Sequence, residues 1–145
     1  MSSNPIPDHS HVPGNYAHCL ETECPVGAQC LRRLAADCLP DDMEQFYAVN
    51  PRRVRHDEQC PYFRPAKEVR MARGFMHALG TVPMANARKV ERAVTALYNR
   101  CYYYRMRRGI YVLTPQQQEQ IARILTKNGA AQPVEFDAYE MRPDW

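Results

Sequence analysis

Residues 19–38 read CLETECPVGAQCLRRLAADC, and this stretch decides how the first part of the chain folds. It holds four of the five cysteines that lie between positions 19 and 60, with the spacing C-x4-C-x5-C-x7-C-x21-C. The N-terminus has no basic segment followed by an apolar run, so we expect a cytoplasmic protein without a secretory signal. In that compartment disulfides are rare, and clustered thiols more often bind metal or do redox chemistry.

The cysteine spacing indicates which thiols can share a metal ion. Cys24 and Cys60 each precede a proline, which fixes the chain as it leaves the thiol. A helix is predicted over Val26–Ala36, with Pro25 suited to its first turn. Cys38 lies at the end of this helix, where a buried thiol is an ordinary outcome. The predicted metal ligands are Cys19, Cys24, Cys30 and Cys60, with Cys38 and His18 in reserve.

Zinc is the expected metal, because a four-thiolate site would stabilise a short lobe that has few apolar residues of its own. Such a site leaves no open coordination position, so it predicts a structural role and no catalysis. An iron–sulfur cluster stays open as an alternative, since a Cys-Pro step also ends the cysteine runs of bacterial ferredoxins. Buried or merely reactive cysteines are a further alternative, because the spacing is not the C-x2-C of a zinc ribbon.

Charge is distributed unevenly along the chain, although the formal net charge of the whole is only +3. Residues 61–113 hold eleven Lys/Arg and two Glu, a net of +9, whereas residues 1–60 and 114–145 carry nets of −4 and −2. Eight of the fourteen aromatic residues also lie in 61–113. Cations interleaved with tyrosines are typical of polyanion-binding surfaces, because the cations pair with phosphates and flat rings stack on bases. A solvated arginine face is the alternative interpretation.

Two predicted helices in this cationic segment have the outline of a helix-turn-helix unit. The first runs from residue 66, where apolar residues from Val69 to Leu79 recur at helical spacing, and the second covers Met84–Arg100. A short break at Gly80–Pro83 separates them. In such units the second helix contacts bases and phosphates through its N-terminal residues, and a plain helical hairpin is the alternative. The predicted nucleic-acid-binding residues on this helix are Asn86, Arg88, Lys89 and Arg92.

The stretch Tyr102–Leu113 predicts two strands, which is where a winged helix-turn-helix carries its wing. The tip of this hairpin would present three cations to a nucleic-acid backbone, namely Arg105, Arg107 and Arg108. Side chains alternate along a strand, so Tyr102 and Tyr104 would lie on one face and Tyr103 on the other. At least one set is therefore predicted to be exposed, for base stacking or for an interface. Cys101 lies on the apolar stripe of the preceding helix and is predicted to be in the core.

The remaining segments are predicted to be structural. Thr114–Gln117 matches a capping box that begins a helix, and Asn128-Gly129 matches the end of one. Val134–Tyr139 alternates like a strand, and a second short strand is predicted over Glu44–Asn50. No glycine-rich phosphate loop, G-x-S-x-G or H-E-x-x-H motif is present, so the motifs lend no support to an enzymatic activity.

Several short segments together carry a family resemblance: Asn15–Pro25, Cys30–Ala35, Asn50-Pro51, Cys60–Arg64, Tyr102–Arg105, Leu113–Pro115 and Asp144-Trp145. Through them the chain, from about residue 14 onward, resembles a family of small uncharacterised proteins from gut Bacteroidetes, a domain of unknown function. The resemblance implies an intracellular bacterial protein that forms a single unit. It supplies no activity and no ligand assignments.

These observations predict an α+β protein that is mainly helical. Residues 1–13 are predicted to be a disordered extension, 14–64 a cysteine-rich metal-stapled lobe, and 65–145 a basic lobe that resembles a winged helix-turn-helix. A single continuous domain over both lobes is the alternative. The predicted function is nucleic-acid binding, with DNA in a regulatory role, by a protein that has a structural metal site. A protein-interaction module that holds a protein partner through the Tyr/Arg-rich hairpin is an alternative, and an iron–sulfur redox or iron sensor is another. No membrane association is expected, and the sequence does not indicate an oligomeric state.

Overall fold

The computed structural model describes Ile6 and residues 8–145, which form an α+β fold as the sequence predicts. Its helices are α1 (Leu31–Asp37), α2 (Met76–Gly80), α3 (Met84–Tyr98), α4 (Arg100–Arg107) and α5 (Pro115–Lys127). Its strands are β1 (Glu68–Arg73), β2 (Val112–Leu113) and β3 (Ala138–Pro143), and short 3₁₀ turns cover His9–His11, Gly27–Gln29 and Pro51–Arg53. No helix in the described part of the chain is long and apolar enough to cross a membrane.

The three strands form one sheet in the order β2-β1-β3, so β1 is the central strand. β1 and β2 are antiparallel, with Ala72 opposite Leu113 and Arg73 opposite Val112. Both neighbours of β1 come from much later in the chain, so local periodicity gives no sign of the pairing. The chain divides into two compact units, which are described separately below.

The first unit comprises the described residues up to Glu68 together with Arg142–Trp145. Among the described residues its buried apolar cluster is small: Ile6, Val12, Tyr16, Leu31, Leu34 and Ala35. The C-terminus is held in this unit, because the Arg64 guanidinium donates to the main-chain oxygens of Asp144 and Trp145 at 2.8 and 2.9 Å. The Trp145 ring also lies edge-on to Tyr16, with 4.8 Å between ring centroids.

Two sequence predictions for this unit are wrong in detail. The helix predicted over Val26–Ala36 is interrupted at Cys30, which is extended, so that α1 begins only at Leu31. Long-range pairing causes the interruption, because the Leu31 N–H donates to the carbonyl of Arg64 at 2.8 Å. The strand predicted over Glu44–Asn50 is an irregular segment with one isolated bridge, between His18 and Ala48.

The predicted disordered extension over residues 1–13 lies partly outside the described residues, at 1–5 and at 7. The described part of it packs against the unit, since Ile6 and Val12 are both buried in the apolar cluster. The 3₁₀ turn at His9–His11 begins with Asp8, whose carboxylate accepts from the Ser10 N–H at 2.8 Å. The disorder predicted for residues 1–13 stays a prediction.

The second unit, Val69–Met141, has the larger apolar core. Helix α3 contributes Val90 and Val94, and helix α5 contributes Ile121 and Leu125, all fully buried. Each pair is four residues apart, which places its members on one face of its helix. The capping box that was predicted at Thr114 is present, with reciprocal hydrogen bonds between Thr114 and Gln117. The predicted helix end at Asn128-Gly129 is also confirmed, with Gly129 at a φ of 93°.

The prediction of the first helix of the helix-turn-helix is wrong. Its residues form strand β1 followed by the single turn of α2. Gly74 separates the two with a φ of 69°, a left-handed conformation that favours glycine. The Asp137 carboxylate then accepts from the N–H groups of Met76 and His77 at 2.8 and 2.9 Å, so a distant residue caps α2. The strand predicted over Val134–Tyr139 is displaced toward the C-terminus and forms β3, Ala138–Pro143, which pairs with β1.

The prediction of a two-stranded wing over Tyr102–Leu113 is also wrong, because its first half, up to Arg107, is helix α4 and only Val112–Leu113 is strand. Asn99 turns the chain after α3 with a φ of 81°, and its side chain accepts from the Tyr102 N–H and caps α4. Tyr103 and Met106 then lie three residues apart on the buried face of α4, each about 1% exposed. The turn at Asn99 also takes Cys101 off the α3 stripe, and Cys101 is exposed rather than in the core.

Candidate metal centre and nucleic-acid interface

The four predicted ligand cysteines lie around a single cavity in the first unit. Cys19, Cys24, Cys30 and Cys60 all line it, and its volume is about 20 Å³. Val26, Val54 and Phe63 supply apolar walls, and the side chains of Arg33 and Arg55 also contribute. All six cysteines of the chain are free thiols. The predicted ligands, which span positions 19 to 60, are thus brought together by the fold.

Two Cys-Pro turns position half of these thiols. The Gly27 N–H donates to the carbonyl of Cys24, and the Phe63 N–H donates to the carbonyl of Cys60, both at 3.0 Å. In each turn the proline after the cysteine has the φ that the second turn position requires. The other two thiols are held by backbone pairing, because Cys30 forms an antiparallel bridge with Pro65 and the Cys19 N–H donates to the Arg32 carbonyl at 3.0 Å.

Backbone amides are directed at two of the sulfurs. The Arg55 N–H donates to Cys60 Sγ at 3.3 Å. Burial raises the pKa of the Cys19 thiol, an effect that the Glu21 N–H, donating to the sulfur, opposes. The neighbouring Cys30, Cys24 and Cys60 raise that pKa further, because each would add negative charge beside it.

The two reserve ligands do not line the cavity. Cys38 Sγ is 3.7 Å from the carbonyl of Ile6, against the apolar cluster of the unit. His18 is 3% exposed, and its Nδ1 donates to the carbonyl of Tyr47 at 3.0 Å while its Nε2 lies 3.0 Å from His9 Nε2. Burial lowers the pKa of His18. As the side chains stand in residues 6 and 8–145, no three His, Cys, Asp or Glu groups are assembled into a formed metal site.

The three cations that were predicted on the second helix to contact nucleic acid all face solvent in the second unit. Arg88, Lys89 and Arg92 lie on the exposed side of α3. Arg88 and Arg92 line an open groove of about 490 Å³ together with Arg100, the first residue of α4. Within the described chain no carboxylate forms an ion pair with Arg88, Lys89, Arg92 or Arg100.

One acidic residue, Glu91, lines the same groove. Its carboxylate accepts a hydrogen bond from the Tyr104 hydroxyl at 3.2 Å, so it is held by a residue of α4. The Arg100 guanidinium lies over the ring of Tyr104, 5.9 Å from the centroid. From Met84 to Arg108 the chain has seven Lys/Arg and this one Glu, a net of +6, so the surface stays strongly cationic.

The three arginines assigned to the wing tip occupy different places on α4. Arg105 donates to the Tyr111 hydroxyl and lies over that ring, 5.4 Å from its centroid. Arg107 is half-buried over the ring of Tyr104, at 5.1 Å, and within the described chain its Nε is buried without a hydrogen-bond partner. Arg108 is exposed just after the helix ends. Arg105 and Arg108 are thus both exposed, whereas Arg107 is half-buried.

Two other predicted contact residues have partners or burial within the second unit. The Asn86 side chain donates to the Asn128 carbonyl at 3.1 Å and so secures the end of α5 rather than facing a ligand. Tyr103 is 1% exposed and cannot stack on a base. Tyr102 is 46% exposed, although its ring packs against Tyr111 with 5.0 Å between centroids. Tyr104 is half-buried.

Sequence reasoning missed Arg100 as a groove residue. The sequence predicts that Arg100 ends a continuous helix, whereas the turn at Asn99 brings it to the same groove as Arg88 and Arg92. The only local signal was Asn99 itself, because asparagine tolerates a positive φ and is a preferred helix cap.

Comparison with known proteins identifies a family for this chain but gives no function. One family model, described as a family of unknown function, matches residues 1–145. No curated protein and no solved structure matches the chain. The match agrees with the resemblance drawn from the sequence, whereas an origin in gut Bacteroidetes stays a prediction.

Proposed function

We propose, for a chain that belongs to the family of unknown function DUF6078, that the cationic groove on α3 and α4 binds nucleic acid. Duplex DNA is the expected ligand, and regulation of the bound DNA is the role we propose. Family membership assigns no activity, so the proposal depends on the residues of the groove.

The observation that carries the proposal is that three arginines share one groove without a carboxylate ion pair among the described residues. Some arginines of the chain are paired with carboxylates, as Arg64 is with Asp144 at 3.2 Å and Arg73 with Glu140 at 3.1 Å. Within the described residues, Arg88, Arg92 and Arg100 have no such pair, although they lie within one groove. Like charges held close together repel each other, so a polyanion that neutralises them gains free energy on binding.

The spacing of the cations suits a phosphate backbone. Arg88 and Arg92 are four residues apart on α3, so they project from the same face about one turn from each other. Helix α3 has 15 residues, which makes it about 22 Å long, and an α-helix is narrow enough for the major groove of duplex DNA. Because Asn86 is bound to α5, the contacts available are those of Arg and Lys. We therefore expect phosphate contacts to dominate and sequence preference to be weak.

Equilibrium binding of a fluorescently labelled duplex, measured by anisotropy at low salt, tests the proposal. The double variant R88A/R92A should weaken binding at least tenfold, about 1.4 kcal/mol or more, because two phosphate contacts are lost. The matched control is R123A/K127A, which removes the same charge at the same i, i+4 spacing from exposed positions of α5. It should leave the affinity within about twofold, since neither residue lines the groove and exposed charges outside a contact are largely screened.

Equal losses in the two double variants would contradict a defined groove and would indicate general attraction to a positive protein. No binding by the unmodified chain to duplex or single-stranded oligonucleotides at low salt would overturn the proposal. Tighter binding to single strands would correct its ligand from duplex DNA to single-stranded nucleic acid. Capture of one protein partner that persists after nuclease treatment, without oligonucleotide binding, would favour the interaction-module alternative.

A further inference from the structure

We infer that Cys19, Cys24, Cys30 and Cys60 bind one zinc ion as a closed, structural four-thiolate site in the first unit. This inference is independent of the groove on α3 and α4, so either proposal can fail without the other.

The first argument is the selective convergence of the thiols. Cys60 is thirty residues from Cys30 along the chain, yet both line the same small cavity with Cys19 and Cys24. Cys38 is only eight residues from Cys30 and faces the apolar cluster instead. The general tendency of cysteine to be buried explains Cys38 but does not explain why the other four share one cavity.

The second argument is the size of the cavity. A volume of about 20 Å³ holds about one water-sized sphere. A single ion fits that space, whereas even the smallest iron–sulfur cluster places two irons and two sulfides between its thiolates. Thiolate ligands favour zinc among the single divalent ions that need no redox chemistry.

The third argument is the set of donors around the sulfurs. The Arg55 N–H donates to Cys60 Sγ at 3.3 Å, and hydrogen bonds from surrounding groups commonly hold a metal ligand in place. The walls carry two arginines and no carboxylate. A cation that binds oxygen, such as magnesium, would find no carboxylate ligand there. A cation that binds thiolates would find four ligands.

Zinc binding would close a site whose parts are in place. The thiols share one cavity without yet forming a metal site, so the ion would draw the four sulfurs inward by rotation about their Cα–Cβ bonds. Each thiol releases its proton to solvent as it becomes a ligand. The closed site would join the Cys24 turn, the start of α1 and the Cys60 turn, in a unit whose described apolar core is small.

Elemental analysis of the full chain, purified without added metal, is the test. We expect about one zinc and no iron per chain. The variants C24S and C60S should each lower zinc affinity more than about a hundredfold, since even residues that only support a ligand are worth tenfold to a hundredfold. C38S and C101S are the matched controls and should retain the zinc content of the unmodified chain.

A second measurement on the unmodified chain covers the case in which C24S or C60S fails to fold. Cobalt(II) added to the metal-free chain should give the intense visible bands of a tetrahedral four-thiolate site, and one equivalent of zinc should abolish them. Less than about 0.1 zinc per chain together with no such bands would overturn the inference. Iron with acid-labile sulfide, or zinc retained in both C24S and C60S, would overturn it equally.

Discussion

At the scale of single residues, Asn99 decides how the cationic surface is formed. It ends α3 with a positive φ and caps α4 through its side chain, which is how Arg100 reaches the groove lined by Arg88 and Arg92. No other non-glycine residue in the described chain has a positive φ. A residue that is both strained and capping is expected to be sensitive to substitution.

We expect Asn99→Ala to lower the free energy of unfolding by about 1–2 kcal/mol, because alanine loses the cap and disfavours the positive φ. Asn99→Gly should cost only a few tenths of a kcal/mol, since glycine accepts the positive φ and is a tolerable cap. Urea unfolding followed by circular dichroism measures both. If alanine and glycine cost the same, the conformation of Asn99 does not have the role assigned to it.

His18 provides a second prediction at this scale. Burial lowers its pKa below the ordinary value of 6.5, so the folded chain binds this proton less readily than the unfolded chain. The unfolded state therefore gains protons first as the pH falls, and the stability of the first unit should decrease as the pH drops below about 6.5. His18→Asn can keep the donor to the Tyr47 carbonyl but does not titrate.

The stability of the His18→Asn variant should change less between pH 6.5 and 5 than that of the unmodified chain. Unfolding followed by Trp145 fluorescence at several pH values provides the comparison, since the only tryptophan belongs to the first unit. Parallel pH profiles for the two proteins would show that His18 does not cause the effect.

At the scale of elements, sequence patterns succeeded where the determining contacts are local. The capping box at Thr114, the stop at Asn128-Gly129 and the stripe Val90–Val94 all depend on residues within a few positions. Patterns failed where a distant partner decides the structure. β1 is a strand because β2 and β3 pair with it, and α2 is capped by Asp137, so neither is visible in a local window.

The assignment of residues 100–107 to α4 can be tested with neighbouring tyrosines. Tyr103→Ala should destabilise the protein by about 3–5 kcal/mol, because it empties a core position that is 1% exposed. Tyr102→Ala should cost less than about 1 kcal/mol, since that side chain is 46% exposed. Thermal or urea unfolding gives both values. Equal costs would indicate that the segment has two similarly exposed faces, as a hairpin wing would.

At the scale of the whole molecule, thiols and cations belong to different units. The four cavity thiols lie in the first unit, and the unpaired arginines of the groove lie in the second. The uneven charge and cysteine content of the sequence could predict this division, because both are properties of long stretches. The convergence of Cys60 with Cys30 and the kink at Asn99 could not, since each depends on how distant or adjoining segments turn in space.

Metal removal should therefore affect the two units differently. A strong zinc chelator should lower the unfolding midpoint reported by Trp145, which packs against Tyr16 in the first unit. The unfolding midpoint measured by far-ultraviolet circular dichroism should shift less, because α2–α5 all lie in the second unit and hold most of the helical residues. Equal shifts of the two signals would contradict a metal site confined to the first unit.

The salt dependence of DNA affinity tests the central claim most directly. With about four cations in contact with phosphates, a plot of log affinity against log salt concentration for duplex DNA should have a slope of about −3 to −4. R88A/R92A should make the slope shallower by about 2, and R123A/K127A should leave it unchanged. A slope near zero for the unmodified chain, or the same change in both double variants, would contradict nucleic-acid binding by this groove.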